Sequence, residues 1–221
     1  HELTVFCSPA ITSLWLAHQL ISFFDEAPDT HVNVISTNQL IHDLNTIEGK
    51  EPDVFISKVY DPREGYKSIP LFHDIIYPVC SPSYLEEHSN IKDVHSLIDA
   101  DFLNLTPYGR DQVAEHVDWN EWLKAFSIDY SEQTVRKCFN SNDYCMLIQM
   151  AVTGQGVCLG WHHLVKQLIK DGKLVRITNQ ELKYTEKYHY LSYPEKFENN
   201  PAFVQFRSWL LQRLHVPLTD L

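Results

Sequence analysis

The segment VRKCFNSNDYCMLIQMAVTGQGVCLGW, residues 135–161, decides the fold. A short apolar run from Val135 reaches Phe139, Asn140 and Ser141; an apolar helix pattern follows; then Gly154-Gln155-Gly156 leads into Val157-Cys158-Leu159-Gly160-Trp161. Asn140 and Ser141 stand where a helix needs an N-cap, because a side-chain oxygen there accepts from the unpaired amides of the first turn. Gly154 and Gly156 permit the positive φ angles that end a helix sharply. The segment therefore predicts a β-α-β unit whose helix N-terminus is open to a ligand.

Outward from it, strands and helices alternate. Leu3–Cys7 is an apolar strand pattern suited to burial on both faces, and Ser8-Pro9 opens a helix with an apolar stripe at Ile11, Leu14, Ala17, Leu20, Ile21 and Phe24. Pro28 stops it. Residues 31–36 and 53–57 read as strands, 40–44 as a short helix, and 61–65 as a loop. Strands are expected at 69–71, 75–80 and 188–193, and helices at 82–87, 119–126, 162–170 and from Asn200-Pro201 onward, with Phe203, Phe206, Leu210 and Leu214 inward. This alternation, without repeats or a low-complexity linker, predicts an α/β architecture.

At 221 residues and 44% hydrophobic content the chain can bury one large core or two small ones. No apolar run approaches the roughly 20 residues of a membrane span, and the start lacks the pattern of a secretion signal. A net charge of −11 argues against grip on a phosphate backbone, which depends on Lys and Arg. Cys7, Cys80, Cys138, Cys145 and Cys158 are odd in number and lack a Cys-x-x-Cys spacing, so they read as free thiols of a reducing cytoplasm.

Catalytic signatures fail. His162 and His163 are adjacent, pointing about 100° apart on a helix, which makes them poor joint metal ligands. No Gly-x-Ser-x-Gly elbow occurs, and Gly154-Gln155-Gly156 lacks the remainder of a nucleotide loop. No enzyme activity, metal or cofactor is expected.

With Phe139-Asn140-Ser141 and Gly154–Gly160 in place, further segments fall in order: Asp53-Val54-Phe55-Ile56, Pro70-Leu71-Phe72, Pro78-Val79-Cys80-Ser81-Pro82, Gly172-Lys173-Leu174-Val175 and the closing Phe206-Arg207-Ser208-Trp209-Leu210. Together they resemble the effector-binding domains of LysR-type bacterial transcriptional regulators over nearly the whole length. The resemblance implies two Rossmann-like subdomains joined by two crossover strands, a clamshell like that of periplasmic binding proteins. Subdomain I would comprise 1–80 plus 189–221 and subdomain II 81–188. The winged helix-turn-helix of roughly 90 residues that such regulators carry is absent from this sequence.

Ligands of open α/β sheets sit past the carboxyl ends of the strands. Those junctions are Ser8-Pro9-Ala10, Ser57-Lys58, Asn140-Ser141 and Trp161-His162. Tyr60 and Tyr108 lie in loops that the resemblance brings near the same cleft. With Trp161 they either wall an aromatic pocket for a quaternary ammonium or aromatic metabolite, or pack internally. The resemblance further implies a cytoplasmic homodimer, a homotetramer in the complete regulator, and operator DNA contacted only through the missing domain. The helix 11–24 and strand 31–36 are candidates for the pairing surface. The alternative is a periplasmic solute-binding protein for a small polar molecule, which shares the clamshell but is expected to avoid free thiols.

Overall fold

The structure is a computed structural model that describes residues 2–38, 52–58, 60–61, 63–108, 116–131 and 137–215. The chain forms two compact units: residues 1–73 with 184–221, and residues 74–183. It passes between them twice, at His73-Asp74 and at Lys183-Tyr184. The helix expected at 40–44 lies outside the described residues.

In the first unit β1 (Glu2–Cys7) pairs in parallel with β2 (His31–Ser36) on one side and β3 (Val54–Ser57) on the other. β3 in turn pairs antiparallel with β9 (Leu182–Pro194). Leu3 and Val5 are fully buried, as a two-sided strand requires. After Ser8 the chain turns π-helical over Ile11–Leu16 and continues as α1 (Ala17–Glu26). The amide of Ala17 donates to the carbonyl of Thr12, five residues back. That bond lodges an extra residue in the helix and rotates everything after it.

The apolar stripe is therefore not the expected one. Ile11, Trp15, Leu16 and Phe23 are buried, whereas Ile21 and Phe24 are 71% and 46% exposed. Phe23 packs edge-on against Phe206 at 5.7 Å and against Trp209 at 5.2 Å. Both partners belong to α6 (Pro201–Arg213), whose N-cap Asn200 accepts from the amide of Phe203 at 3.1 Å, as its sequence predicted. Buried Phe203, Phe206 and Leu210 also agree, but Leu214 is only partly covered.

The second unit holds β4 (Tyr66–Cys80, from Asp74 onward), β7 (Val157–Trp161), β5 (Asp101–Leu105) and β6 (Lys137–Ser141), in that order across the sheet. β8 (Val175–Arg176) pairs with β4. β7, β5 and β6 are parallel, while β4 runs antiparallel to β7. The β-α-β unit of residues 137–161 is thus present, but its strands are not neighbours: β5 lies between them. β5 escapes sequence reading because Asp101 and Asn104 interrupt its apolar pattern.

Two expected strands, 69–71 and 75–80, are one strand of 15 residues. Pro70 and Pro78 suggest breaks because proline lacks a donor. The Pro78 carbonyl nevertheless accepts from the amide of Ile177 at 3.3 Å. β9 likewise extends beyond the expected 188–193. The helices α2 (Pro82–Glu87), α3 (Trp119–Ala125) and α5 (His162–Lys170) fall within a residue or so of their sequence signals, whereas α4 (Tyr144–Val152) begins two to three residues later than expected.

None of the five cysteines forms a disulfide, and Cys7, Cys80 and Cys158 are buried. Burial pushes the Cys7 thiol up to about 11 and that of Cys80 up to about 12, so neither is an activated thiolate near neutrality.

Candidate functional site

The carboxyl ends of β1 and β3 lie on one edge of the first unit because the two strands are parallel. Ser8 follows β1, and its Oγ accepts from the amide of Ile11 at 3.3 Å. With Pro9 and Ala10 already helical, Ser8 is the expected cap. The Ser8 carbonyl also accepts the Thr12 hydroxyl at 2.8 Å. Ser57 ends β3 half-buried, and Lys58 after it is exposed. Tyr60 is 57% exposed and meets Tyr190 edge-on, with ring centroids 5.7 Å apart. Tyr190 continues to Tyr188 at 6.2 Å. The sequence gives no sign of this tyrosine row on β9 beyond the strand expected at 188–193.

Beneath Tyr60, Asp61 is buried and receives both Nε and a terminal nitrogen of Arg63, the latter at 2.6 Å. The guanidinium stacks over Tyr66 at 3.8 Å. This fork-on-carboxylate pairing anchors the loop.

In the second unit the parallel strands β7, β5 and β6 present Trp161, Leu105 and Ser141 at their carboxyl ends. The N-cap of α4 is Asp143, not Asn140 or Ser141: its Oδ1 accepts from the amide of Met146 at 3.1 Å. β6 keeps Asn140 and Ser141 inside its ladder, paired with Asn104 and Leu105, so the helix starts later than the sequence suggested. Ser141 Oγ instead accepts from the amide of Asp143 at 3.1 Å. Accordingly, Asp143→Ala is expected to lower stability by about 1 kcal/mol and Ser141→Ala by less, in urea melts of both variants.

Tyr144 ties this edge together. Its hydroxyl donates to the Leu159 carbonyl at 2.9 Å and accepts from the amide of Trp161 at 3.2 Å. Its ring lies edge-on to that of Trp161 at 5.2 Å. Burial holds the Tyr144 phenol well above its ordinary pKa, so it remains a neutral donor. Trp161 is only half-buried, neither a core residue nor an open wall. His162, next along, bonds through Nδ1 to the Tyr77 hydroxyl at 2.9 Å. Burial, then Lys166 and Arg176, lower its pKa. Arg176 covers the Tyr77 ring at 3.8 Å and pairs with Glu181 at 3.0 Å.

Tyr108 is 76% exposed, and its carbonyl accepts from Asn142 Nδ2 at 2.7 Å. Asn140 is exposed and bonded to Asn104, a residue without a sequence signal. Ser8, Pro9, Ala10, Ser57, Lys58 and Tyr60 thus belong to the first unit, and Tyr108, Asn140, Ser141, Trp161 and His162 to the second. Gly154, with φ of 81°, closes α4 as expected, its amide donating to Ala151 and that of Gln155 to Met150. Gly156 does not share that conformation. It is required instead by a close approach: a Cβ there would stand 2.4 Å from the Asp101 carbonyl oxygen. Among the described residues no group of three His, Cys, Asp or Glu side chains is placed to hold a metal, and no helix is long and apolar enough to cross a membrane.

The LysR substrate binding domain family matches residues 1–215. The chain belongs to that family. Among its relatives, the HTH-type transcriptional regulator PerR of Escherichia coli K12 is 25% identical over 95% of this chain and 65% of its own length. The glycine cleavage system transcriptional activator of the same organism is 23% identical over 96% of the chain and 64% of its length. The chain thus spans about two-thirds of these relatives, which are regulators rather than solute-binding proteins.

Among solved structures, the AmpR effector binding domain from Citrobacter freundii superposes with a TM-score of 0.71 at 17% identity, covering 98% of this chain and 100% of that one. The CrgA regulatory domain from Neisseria meningitidis gives 0.69 at 19%, covering 97% and 98%. The fold of this LysR-type domain is therefore the periplasmic-binding-protein-like α/β type of those effector domains.

Proposed function

We propose that this LysR-type domain is the ligand-sensing part of a cytoplasmic transcriptional regulator. It takes up a small effector without chemical change and without a cofactor, and biases DNA-binding heads that lie outside this sequence. The observation that carries this reading is the placement of hydroxyl and amide side chains at the carboxyl ends of parallel strands in each unit: Ser8 and Ser57 in one, Asn140 and Ser141 in the other. Such strand ends are where α/β sheets receive ligands. Lys58, Tyr60, Tyr108, Trp161 and His162 are the further proposed contacts. A ligand that binds one arrangement of the units better than another by about 1 to 3 kcal/mol would shift the coupled equilibrium by about 5 to 150 fold.

A thermal-shift screen of amino acids, organic acids, amines and aromatic acids tests the reading. An effector at about 100 times its dissociation constant is expected to stabilise the domain by about 2.7 kcal/mol. Absence of a shift across all these classes would count against effector sensing. Specific operator DNA is expected to be retarded only by the longer regulator, given the charge of −11 on this sequence.

Pairing of two copies is part of the same proposal. Ile21 and Phe24 stand exposed on α1, and β2 is the edge strand of its unit. Exposed apolar side chains and an edge strand each favour association with a second copy. Phe24→Glu is expected to convert a dimer into a monomer in sedimentation-velocity experiments, with the melting temperature little changed; an unchanged dimer would place the interface elsewhere.

A further inference from the structure

The orientation of the Asn140 amide is set by a chain of hydrogen bonds that begins at a helix end. Trp119 opens α3, so its amide is one of the donors a helix leaves unpaired. Its position is fixed: the indole stacks on Phe102 at 4.4 Å, and indole Nε1 donates to the Leu103 carbonyl at 3.0 Å. The amide donates to Asn104 Oδ1 at 3.0 Å. A backbone N–H requires an acceptor, so the Asn104 carbonyl is committed to Trp119 and its NH2 must face the other way.

There Asn104 Nδ2 donates to Asn140 Oδ1 at 2.9 Å, across paired positions of β5 and β6. The Cys138 thiol approaches the same oxygen at 3.8 Å. Asn140 Oδ1 is consequently spoken for, and its Nδ2 carries two protons outward at an exposed strand end. Among the described residues nothing accepts from that Nδ2. Ser141 is arranged alike: its oxygen accepts from the Asp143 amide, leaving the hydroxyl proton to give, with only Met146 Sδ at 3.9 Å beside it. Thioether sulfur is a weak acceptor.

We propose that Asn104 is a positioning residue that turns the Asn140 amide so that this side chain presents its donors outward at the end of β6 and recognises an uncharged carbonyl oxygen of the effector. This deepens the sensing function and rests on it. A neutral acceptor is favoured over a carboxylate because the exposed Asp143 carboxylate caps the adjoining helix and the chain carries −11 overall.

Asn104→Asp separates position from polarity. One oxygen of the new carboxylate still accepts from Trp119, but the other now faces Asn140, whose amide must turn over and show its oxygen outward. Asn140→Asp keeps the acceptor for Asn104 and replaces the outward donors with a charged acceptor oxygen. The side-chain amide resonances of Asn140 are followed in the 15N-labelled chain during titration with N,N-dimethylacetamide, acetate or tetramethylammonium.

In the parent, dimethylacetamide is expected to shift the Asn140 Nδ2 signals, acetate to shift them less, and tetramethylammonium not at all. In Asn104→Asp that response is lost, and one Asn140 amide proton becomes protected from exchange with water. An effector found by thermal shift is expected to bind both variants roughly tenfold more weakly, the loss of about one hydrogen bond. Unchanged Asn140 signals in Asn104→Asp would overturn the positioning role, and a stronger response to acetate would overturn the preference for an uncharged acceptor. An effector that binds parent and both variants equally would overturn the inference and leave the sensing function standing. A screen that finds no effector while the Asn140 signals behave as described would instead overturn the sensing function.

Discussion

Trp122→Ala is expected to lower the stability of the second unit by about 3 to 5 kcal/mol, the range for truncating a fully buried large aromatic. Trp122 is wholly buried, meets Trp119 edge-on at 6.1 Å, and packs against Phe126 at 4.4 Å. Its indole Nε1 donates to the Ile76 carbonyl at 3.0 Å, so truncation also strands a buried acceptor. α3 is short, and it buries these two tryptophans together with Leu123. Trp122→Phe should recover the packing but not the hydrogen bond, and should fall between parent and alanine variant. Denaturant melts followed by near-ultraviolet circular dichroism measure both. Equal stability of all three proteins would mean that α3 does not pack on the sheet as described.

Gly156→Ala is also expected to destabilise the second unit, although it adds a single methyl group. The added Cβ would lie 2.4 Å from the Asp101 carbonyl oxygen and 3.1 Å from Leu103 Cγ. The first of these is backbone in β5, which cannot rotate away as a side chain can. Either β5 or the turn before β7 must move, and over-packing of this kind commonly costs about 1 to 3 kcal/mol or more. Asp101 also binds Tyr84 in both directions, its amide donating to the phenol at 2.9 Å and its Oδ2 accepting from it at 3.1 Å. Movement of β5 would therefore disturb α2 as well. Gly154→Ala provides the contrast: its added Cβ would meet only Ser81 and Ser83 hydroxyls at 3.4 and 3.5 Å, and its loss comes from φ of 81°. If Gly156→Ala melts with the parent, the close approach of β5 is wrong.

The alternation of strands and helices was legible in the sequence wherever a local signal closed an element. Ser8-Pro9, Pro82, Asn200-Pro201 and Asp171-Gly172 each act within one turn of chain, through a cap, a fixed φ or a left-handed glycine, and each marks its helix boundary closely. The order of family segments from Asp53 to Leu210 likewise needed no coordinates, because it is a property of the sequence itself. The candidate positions Ser8, Ser57, Asn140, Ser141 and Trp161 followed from strand ends.

What only the tertiary structure decided were relations between distant parts. The π-helical turn over Ile11–Leu16 displaced the buried stripe and left Ile21 and Phe24 outside, a rotation that ideal 3.6-residue periodicity cannot show. β5 entered between β6 and β7 because neighbours in a sheet are chosen by burial on both faces rather than by sequence adjacency. That insertion holds Asn140 and Ser141 in a ladder and passes the cap of α4 to Asp143. It also brings Asn104 beside Asn140, from 36 residues away, and so gives an ordinary surface amide a fixed direction. Tyr190 meeting Tyr60 is the same kind of fact. Caps and turns are short-range and leave marks in the sequence; side-chain orientation depends on which strand lies alongside, and that is settled only when the sheet is assembled.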